Sequence, residues 1–138
     1  MKVDGMLNGV LIVDDDNVSN FIAERVIKSH GQVRMVMSVT DGRQALNYLK
    51  RQCEGDDAYA CPELILLDLN MPYIDGMEFL NNKGKYGMPD DIPVVVVTGL
   101  EPSRELERQL KDMGVGYVIK PLTGAKFDKI YQESGFKS

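Results

Sequence analysis

Four consecutive aliphatic residues, Leu64-Ile65-Leu66-Leu67, run directly into Asp68 and then into the turn segment Leu69-Asn70-Met71-Pro72. A run that is apolar at successive rather than alternate positions suits a strand covered on both faces, as in parallel sheets. Such a strand constrains the rest of the chain, because parallel neighbours are reached only through crossovers, usually helical, that pack on the sheet. Asp68 then stands at the carboxyl end of the strand, where open α/β sheets bind their ligands. An aspartate after an apolar run is ordinarily a cap or turn residue. What the other strand ends carry decides between the two readings.

The chain supplies the neighbours. Val10-Leu11-Ile12-Val13 ends in Asp14-Asp15-Asp16, Pro93-Val94-Val95-Val96-Val97 ends in Thr98-Gly99, and Gly116-Tyr117-Val118-Ile119 ends in Lys120-Pro121. Residues 33–39 alternate less cleanly, with Val33, Met35, Met37 and Val39 suited to one face of a strand. Between these runs lie helical patterns. Asp16 or Asn17 can cap a first helix whose apolar stripe is Val18, Phe21, Ile22 and Val26 and which Gly31 ends; His30 in its last turn reads as a surface residue at the negative end of the helix dipole. Thr40-Asp41-Gly42 opens a second helix with Ala45, Leu46 and Leu49 inward, and residues 51–62 read as a surface loop. A Pro and Asp-Gly turn precedes a short third helix with Met77, Phe79 and Leu80, which ends early in residues 81–91. Pro102 and Ser103 start a fourth, with Leu106, Leu110 and Met113 apolar and Gly114 after it; a fifth buries Phe127, Ile130 and Tyr131.

Five strands alternating with five helical segments predict an α/β fold, a flavodoxin-like doubly wound (βα)5 sandwich whose five-stranded parallel sheet has the order 2-1-3-4-5. At 138 residues the chain fits one domain, with a core of about residues 9–134 and no output domain. Its apolar and charged fractions, 43% and 27%, are ordinary for a globular protein. No apolar run is long enough to span a bilayer, and the N-terminus lacks an export pattern, so no membrane association and a cytoplasmic location are expected. In that compartment Cys53 and Cys61 read as free thiols. A net charge of −5 without a Lys/Arg cluster argues against nucleic acid.

The order 2-1-3-4-5 brings the ends of strands one and three together, and with them Asp14, Asp15 and Asp68. A hydroxyl, Thr98, follows strand four and an ammonium, Lys120, follows strand five. Clustered carboxylates repel one another, and a hard divalent cation held by oxygens, Mg²⁺, is their natural neutraliser. Asp68 can then attack phosphorus to give an acyl phosphate, while Thr98 and Lys120 spread the charge of the transferring oxygens.

The motifs Leu-Ile-Val-Asp-Asp, Leu-Leu-Asp-Leu-Asn-Met-Pro followed by Asp-Gly, Val-Val-Thr-Gly and Tyr-Val-Ile-Lys-Pro are specific in combination. With them the chain resembles a response-regulator receiver domain over nearly its whole length, close to the single-domain chemotaxis receivers. The resemblance implies Asp68 as phosphoacceptor, Asp15 and Asp68 as direct Mg²⁺ ligands, Asp14 acting through water, and the main-chain carbonyl of Asn70 as a further ligand. It makes Thr98 the switch hydroxyl, Lys120 the phosphate-pairing cation, Tyr117 the aromatic that turns inward when Thr98 moves, and the Lys120-Pro121 peptide cis. Gly99 departs from the more usual Ala. Asn70 and Leu100 would tune dephosphorylation, Leu100 by covering the site without offering a hydrogen bond.

The implied function is a two-component response regulator. It would take a phosphoryl group from a sensor histidine kinase or histidine phosphotransfer protein and change a surface made of the fourth helix, fifth strand and fifth helix, about residues 102–131, for an unidentified downstream protein target. It would be a phosphorylatable switch with self-catalysed phosphotransfer and dephosphorylation rather than an enzyme, as a monomer or weak dimer. The loop around Gly55 resembles that of receivers associated with bacterial phytochrome-type kinases. A haloacid-dehalogenase-like phosphatase would need an acid where Asn70 stands, and a nucleotide binder would need a Gly-rich loop after the first strand, where acids stand instead.

Overall fold

The computed structural model describes residues 6–53, 61–69, 76–81 and 92–133. In chain order they form β1 (Val10–Val13), α1 (Asn17–His30), β2 (Val36–Val39), α2 (Gly42–Cys53), β3 (Leu64–Leu67), α3 (Gly76–Asn81), β4 (Val94–Thr98), α4 (Arg104–Asp112), β5 (Gly116–Ile119) and α5 (Gly124–Glu133). The strands make one parallel sheet in the order β2-β1-β3-β4-β5. The predicted fold class is therefore the observed one. The predicted turn before α3, Asn70 included, and the acidic loop around Gly55 lie outside the described residues, as do the side chains of Met77 and Phe79.

The period of two along each strand divides the core into two halves. Leu11, Val13, Ile65 and Leu67 face a cluster closed by α2, α3 and α4 through Tyr48, Leu49, Leu80 and Leu110. Val10, Ile12, Leu64 and Leu66 face the opposite cluster, closed by α1 and α5 through Ala23, Ile27, Phe127 and Ile130. Both central strands are buried at every position, which is why they read as unbroken apolar runs.

Several local expectations need correction. The inward face of α1 consists of Asn20, Ala23 and Ile27, whereas Val18, Phe21 and Ile22 are exposed. His30 is no surface residue: its ring lies 5.0 Å from those of both Phe127 and Tyr131, and its Nε2 is 2.9 Å from Asp128 Oδ1. The face proposed for residues 33–39 is divided, since Val33 and Val36 pack with the α1/α5 cluster and Val39 with the other, while Met35 and Met37 stay exposed. Met113 is exposed as well, because α4 ends at Asp112 and Gly114 takes a φ of 72°. The loop after α2 starts later than expected, for the helix continues to Cys53.

Cys53 and Cys61 are joined as a disulfide rather than free. Their Cα atoms stand 4.6 Å apart, inside the range a bridge requires, because the last turn of α2 comes down beside the chain entering β3.

Candidate functional site

Register places the functional groups. Val13 pairs with Leu67, so the next residues of the two strands, Asp14 and Asp68, emerge side by side; Asp68 N–H still donates to Val13 O at 2.8 Å. Thr98 pairs with Ile119, so Lys120 follows on the same edge, its N–H donating to Thr98 O at 2.7 Å. A carboxylate oxygen from each of Asp14, Asp15 and Asp68 lies within 4.8 Å of the others. Asp14 and Asp68 are buried, and Asp15 is exposed.

Lys120 closes the cluster. Its Nζ lies 2.7 Å from Asp14 Oδ2 and 3.9 Å from Asp68 Oδ2. Desolvation pulls the ammonium down, but its hydrogen bond to Asp14 and the charges of Asp14, Asp68 and Asp16 outweigh that and hold it above the ordinary lysine value. Three carboxylates and one ammonium leave a formal charge of −2, which is what a hard divalent cation neutralises. The donor set, all carboxylate oxygen with one member open to solvent, fits Mg²⁺ with retained waters.

The β1–α1 connection is held from within. Asp14 Oδ1 accepts from Asp16 N–H at 2.9 Å, and Asp16 caps α1, accepting from Val18 N–H and from the Ser19 hydroxyl. The Ser19 and Val18 hydrogen bonds lower the Asp16 carboxyl below its usual range. Asn20, which the sequence pattern did not single out, donates from Nδ2 to Asp14 O at 2.8 Å. Its signal was a carboxamide sharing the i, i+3, i+7 face with Ala23 and Ile27.

The remaining expected residues divide. Thr98 reaches the same sheet edge, but its hydroxyl donates to Leu100 O at 3.1 Å. Leu100 is 81% exposed, and its main chain engages the Thr98 hydroxyl. Tyr117 is half-buried against the α2/α3/α4 cluster, beside Val96 on β4. The Lys120-Pro121 peptide is cis. The Asn70 carbonyl lies outside the described residues.

A parallel sheet that gathers three acids at its strand-order switch point, with a lysine paired to them, defines an α/β domain of the flavodoxin-like kind with an acid cluster suited to a hard cation. The chain belongs to the response regulator receiver domain family, whose model matches residues 10–132, and it is a two-component signalling regulator domain, a phosphoryl-accepting switch. It is 30% identical over 90% of its length to the probable methanogenesis regulatory protein FilR2 of Methanothrix harundinacea, spanning 79% of that protein. It spans only 15% of the sensor histidine kinase CheAY of Helicobacter pylori and 50% of the transcription regulator BvgA of Bordetella pertussis. Among solved structures, a two-component response regulator from Cytophaga hutchinsonii matches with a TM-score of 0.81 at 27% identity, over 93% of this chain and 96% of that one. The bacteriophytochrome response regulator RtBRR matches at 0.74 and 33% identity, over 94% and 79%. The receiver domain of a Pseudomonas aeruginosa sensor histidine kinase, at 0.70 and 25% identity over 91% and 94%, carries a magnesium ion in its active-site cleft. Receiver domains interact with histidine kinases or phosphotransfer proteins. No helix among the described residues is long and apolar enough to cross a membrane.

Proposed function

We propose that Asp68 is the phosphoacceptor and that the donor is a phosphohistidine on a sensor histidine kinase or histidine phosphotransfer protein. An Asp68 carboxylate oxygen forms the new bond to phosphorus as the phosphorus–nitrogen bond of the donor breaks, and the imidazole leaves. The observation that carries this reading is the convergence of Asp14, Asp15 and Lys120 on Asp68 at one sheet edge. Mg²⁺ would be held by the carboxylates of Asp15 and Asp68, with Asp14 acting through water and Asn70, which lies outside the described residues, as the further ligand, and it would supply positive charge to the transferring oxygens. Lys120, already held charged by Asp14, turns part of its charge to the incoming phosphoryl group. Both transfer and later hydrolysis are catalysed by these groups of the receiver itself, with Leu100 and Asn70, the latter outside the described residues, as the residues that tune hydrolysis.

The output is a change of protein surface. If the Thr98 hydroxyl leaves Leu100 O for a phosphoryl oxygen, the chain between β4 and α4 is released and Tyr117 gains room to turn, so α4, β5 and α5 present a new face to a downstream protein. The protein acts in the cytoplasm as a monomer or weak dimer. Incubation with acetyl phosphate and Mg²⁺ should add one phosphoryl mass to the parent and none to Asp68→Asn. Equal labelling of the two would remove Asp68 from this role.

A further inference from the structure

The inward face of a helix packed on a sheet is where apolar side chains belong, and α1 places Asn20 there, 4% exposed, in line with Ala23 and Ile27. A buried carboxamide costs free energy unless its hydrogen bonds are made, and this one is only half satisfied: Nδ2 donates to Asp14 O, while Oδ1 is buried without a partner among the described residues. Packing alone favours an aliphatic residue at that position. The side chain is there for what its amide holds.

Asp14 is the first residue beyond β1. Its N–H remains in the sheet, donating to Val39 O at 3.1 Å, whereas its C=O belongs to the peptide plane from which Asp15 departs. Asp16 fixes the far side of the connection by capping α1 and by donating its N–H to Asp14 Oδ1. Asp15 is thus suspended between two anchored points, and Asn20 is the anchor on the strand side. We propose that Asn20 is a positioning residue for the acid cluster: by holding the Asp14 carbonyl it sets the Asp14–Asp15 peptide, and so directs the exposed Asp15 carboxylate into the space it shares with Asp14 and Asp68. The inference rests on the Mg²⁺ reading given above.

Mg²⁺ titration of the unphosphorylated protein, followed through backbone amide NMR shifts, tests it in the parent, Asn20→Leu and Asn20→Ala. Loss of an outer group that orients a metal ligand commonly weakens metal affinity by about ten- to a hundredfold, and a weakening of about tenfold is expected in both variants. In Asn20→Leu it should come without a lower Tm, because leucine fits the apolar surroundings; this dissociates positioning from packing. Affinities within about twofold of the parent in both variants would overturn the role of Asn20 while leaving the Mg²⁺ reading intact, being far short of that range. A parent that binds no Mg²⁺ would overturn both. Failure of both variants to fold would mark Asn20 as a packing residue and overturn the proposal too.

Discussion

α1 and α5 lie against one another on the same side of the sheet, yet they follow opposite rules. α5 puts Phe127, Ile130 and Tyr131 inward, as its apolar spacing predicts. α1 turns Val18, Phe21 and Ile22 outward and buries Asn20 with the small Ala23. The difference follows from what each helix borders. α5 closes the core, and its inward face has only packing to satisfy. α1 begins at the acid cluster, so its first turns serve the Asp14 carbonyl and the Asp16 cap before they serve the core. Sequence rules that ask only for burial succeed on α5 and fail on α1.

The largest expected effect sharpens this contrast through two phenylalanines. Phe127 is fully buried, and Phe127→Ala should destabilise the protein by about 3–5 kcal/mol in urea unfolding, the range for deleting a buried aromatic ring. Phe21, 59% exposed with Arg25 stacked over its ring, is the more prominent residue in the helical pattern, yet Phe21→Ala should change stability by no more than about 0.5 kcal/mol. Similar losses in both would mean that the assignment of inward and outward faces on α1 is wrong.

An intermediate effect is expected where the two helices meet. His30 leaves the end of α1 and enters the α5 surface between Phe127 and Tyr131, with Nε2 on Asp128. Replacing it with Ala removes two aromatic contacts and a hydrogen bond, an expected loss of about 1–3 kcal/mol by the same unfolding measurement. A loss near zero would restore His30 to the solvated helix end that the sequence suggests.

Legibility in the sequence follows the same division. β1 and β3 are readable because burial on both faces leaves only apolar residues, β4 because its run of four valines is β-branched, and the strand ends because carboxylates follow β1 and β3, a hydroxyl closes β4 and an ammonium follows β5. Asp14, Asp15, Asp68 and Lys120 therefore meet where the strand order puts them. The face of α1 is misleading in sequence because Val18, Phe21 and Ile22 share helical spacing with Val26, yet of these four it is Val26 that packs against the core beside Ala23 and Ile27. His30 and the Cys53–Cys61 pair mislead for another reason. Burial of the first comes from a helix about a hundred positions away, and proximity of the second from the return of the chain to β3, neither of which has a local pattern.

The smallest effect concerns the tie between the loops that lead into the two helices. Asp14 precedes α1 and Lys120 precedes α5, and their 2.7 Å contact joins these loops across the sheet edge. The folded Lys120 ammonium is held above 10.5, so the folded state binds this proton more tightly than the unfolded chain does. Its contribution is fully present below pH 10.5 and is lost as pH rises through the higher folded value. Tyr48, raised above 10.0 chiefly by burial, adds a loss of the same sign in the same alkaline range, so the parent curve alone does not isolate Lys120. The difference in unfolding free energy between the parent and Lys120→Met does. It should stay constant from neutral pH to about pH 10 and shrink above it, with an amplitude of at most about 1 kcal/mol because the pair is partly open to solvent. A difference that shrinks instead as pH falls towards the carboxylate range would show that the titration of the acids, and not of Lys120, governs how the N-terminal ends of α1 and α5 are held together.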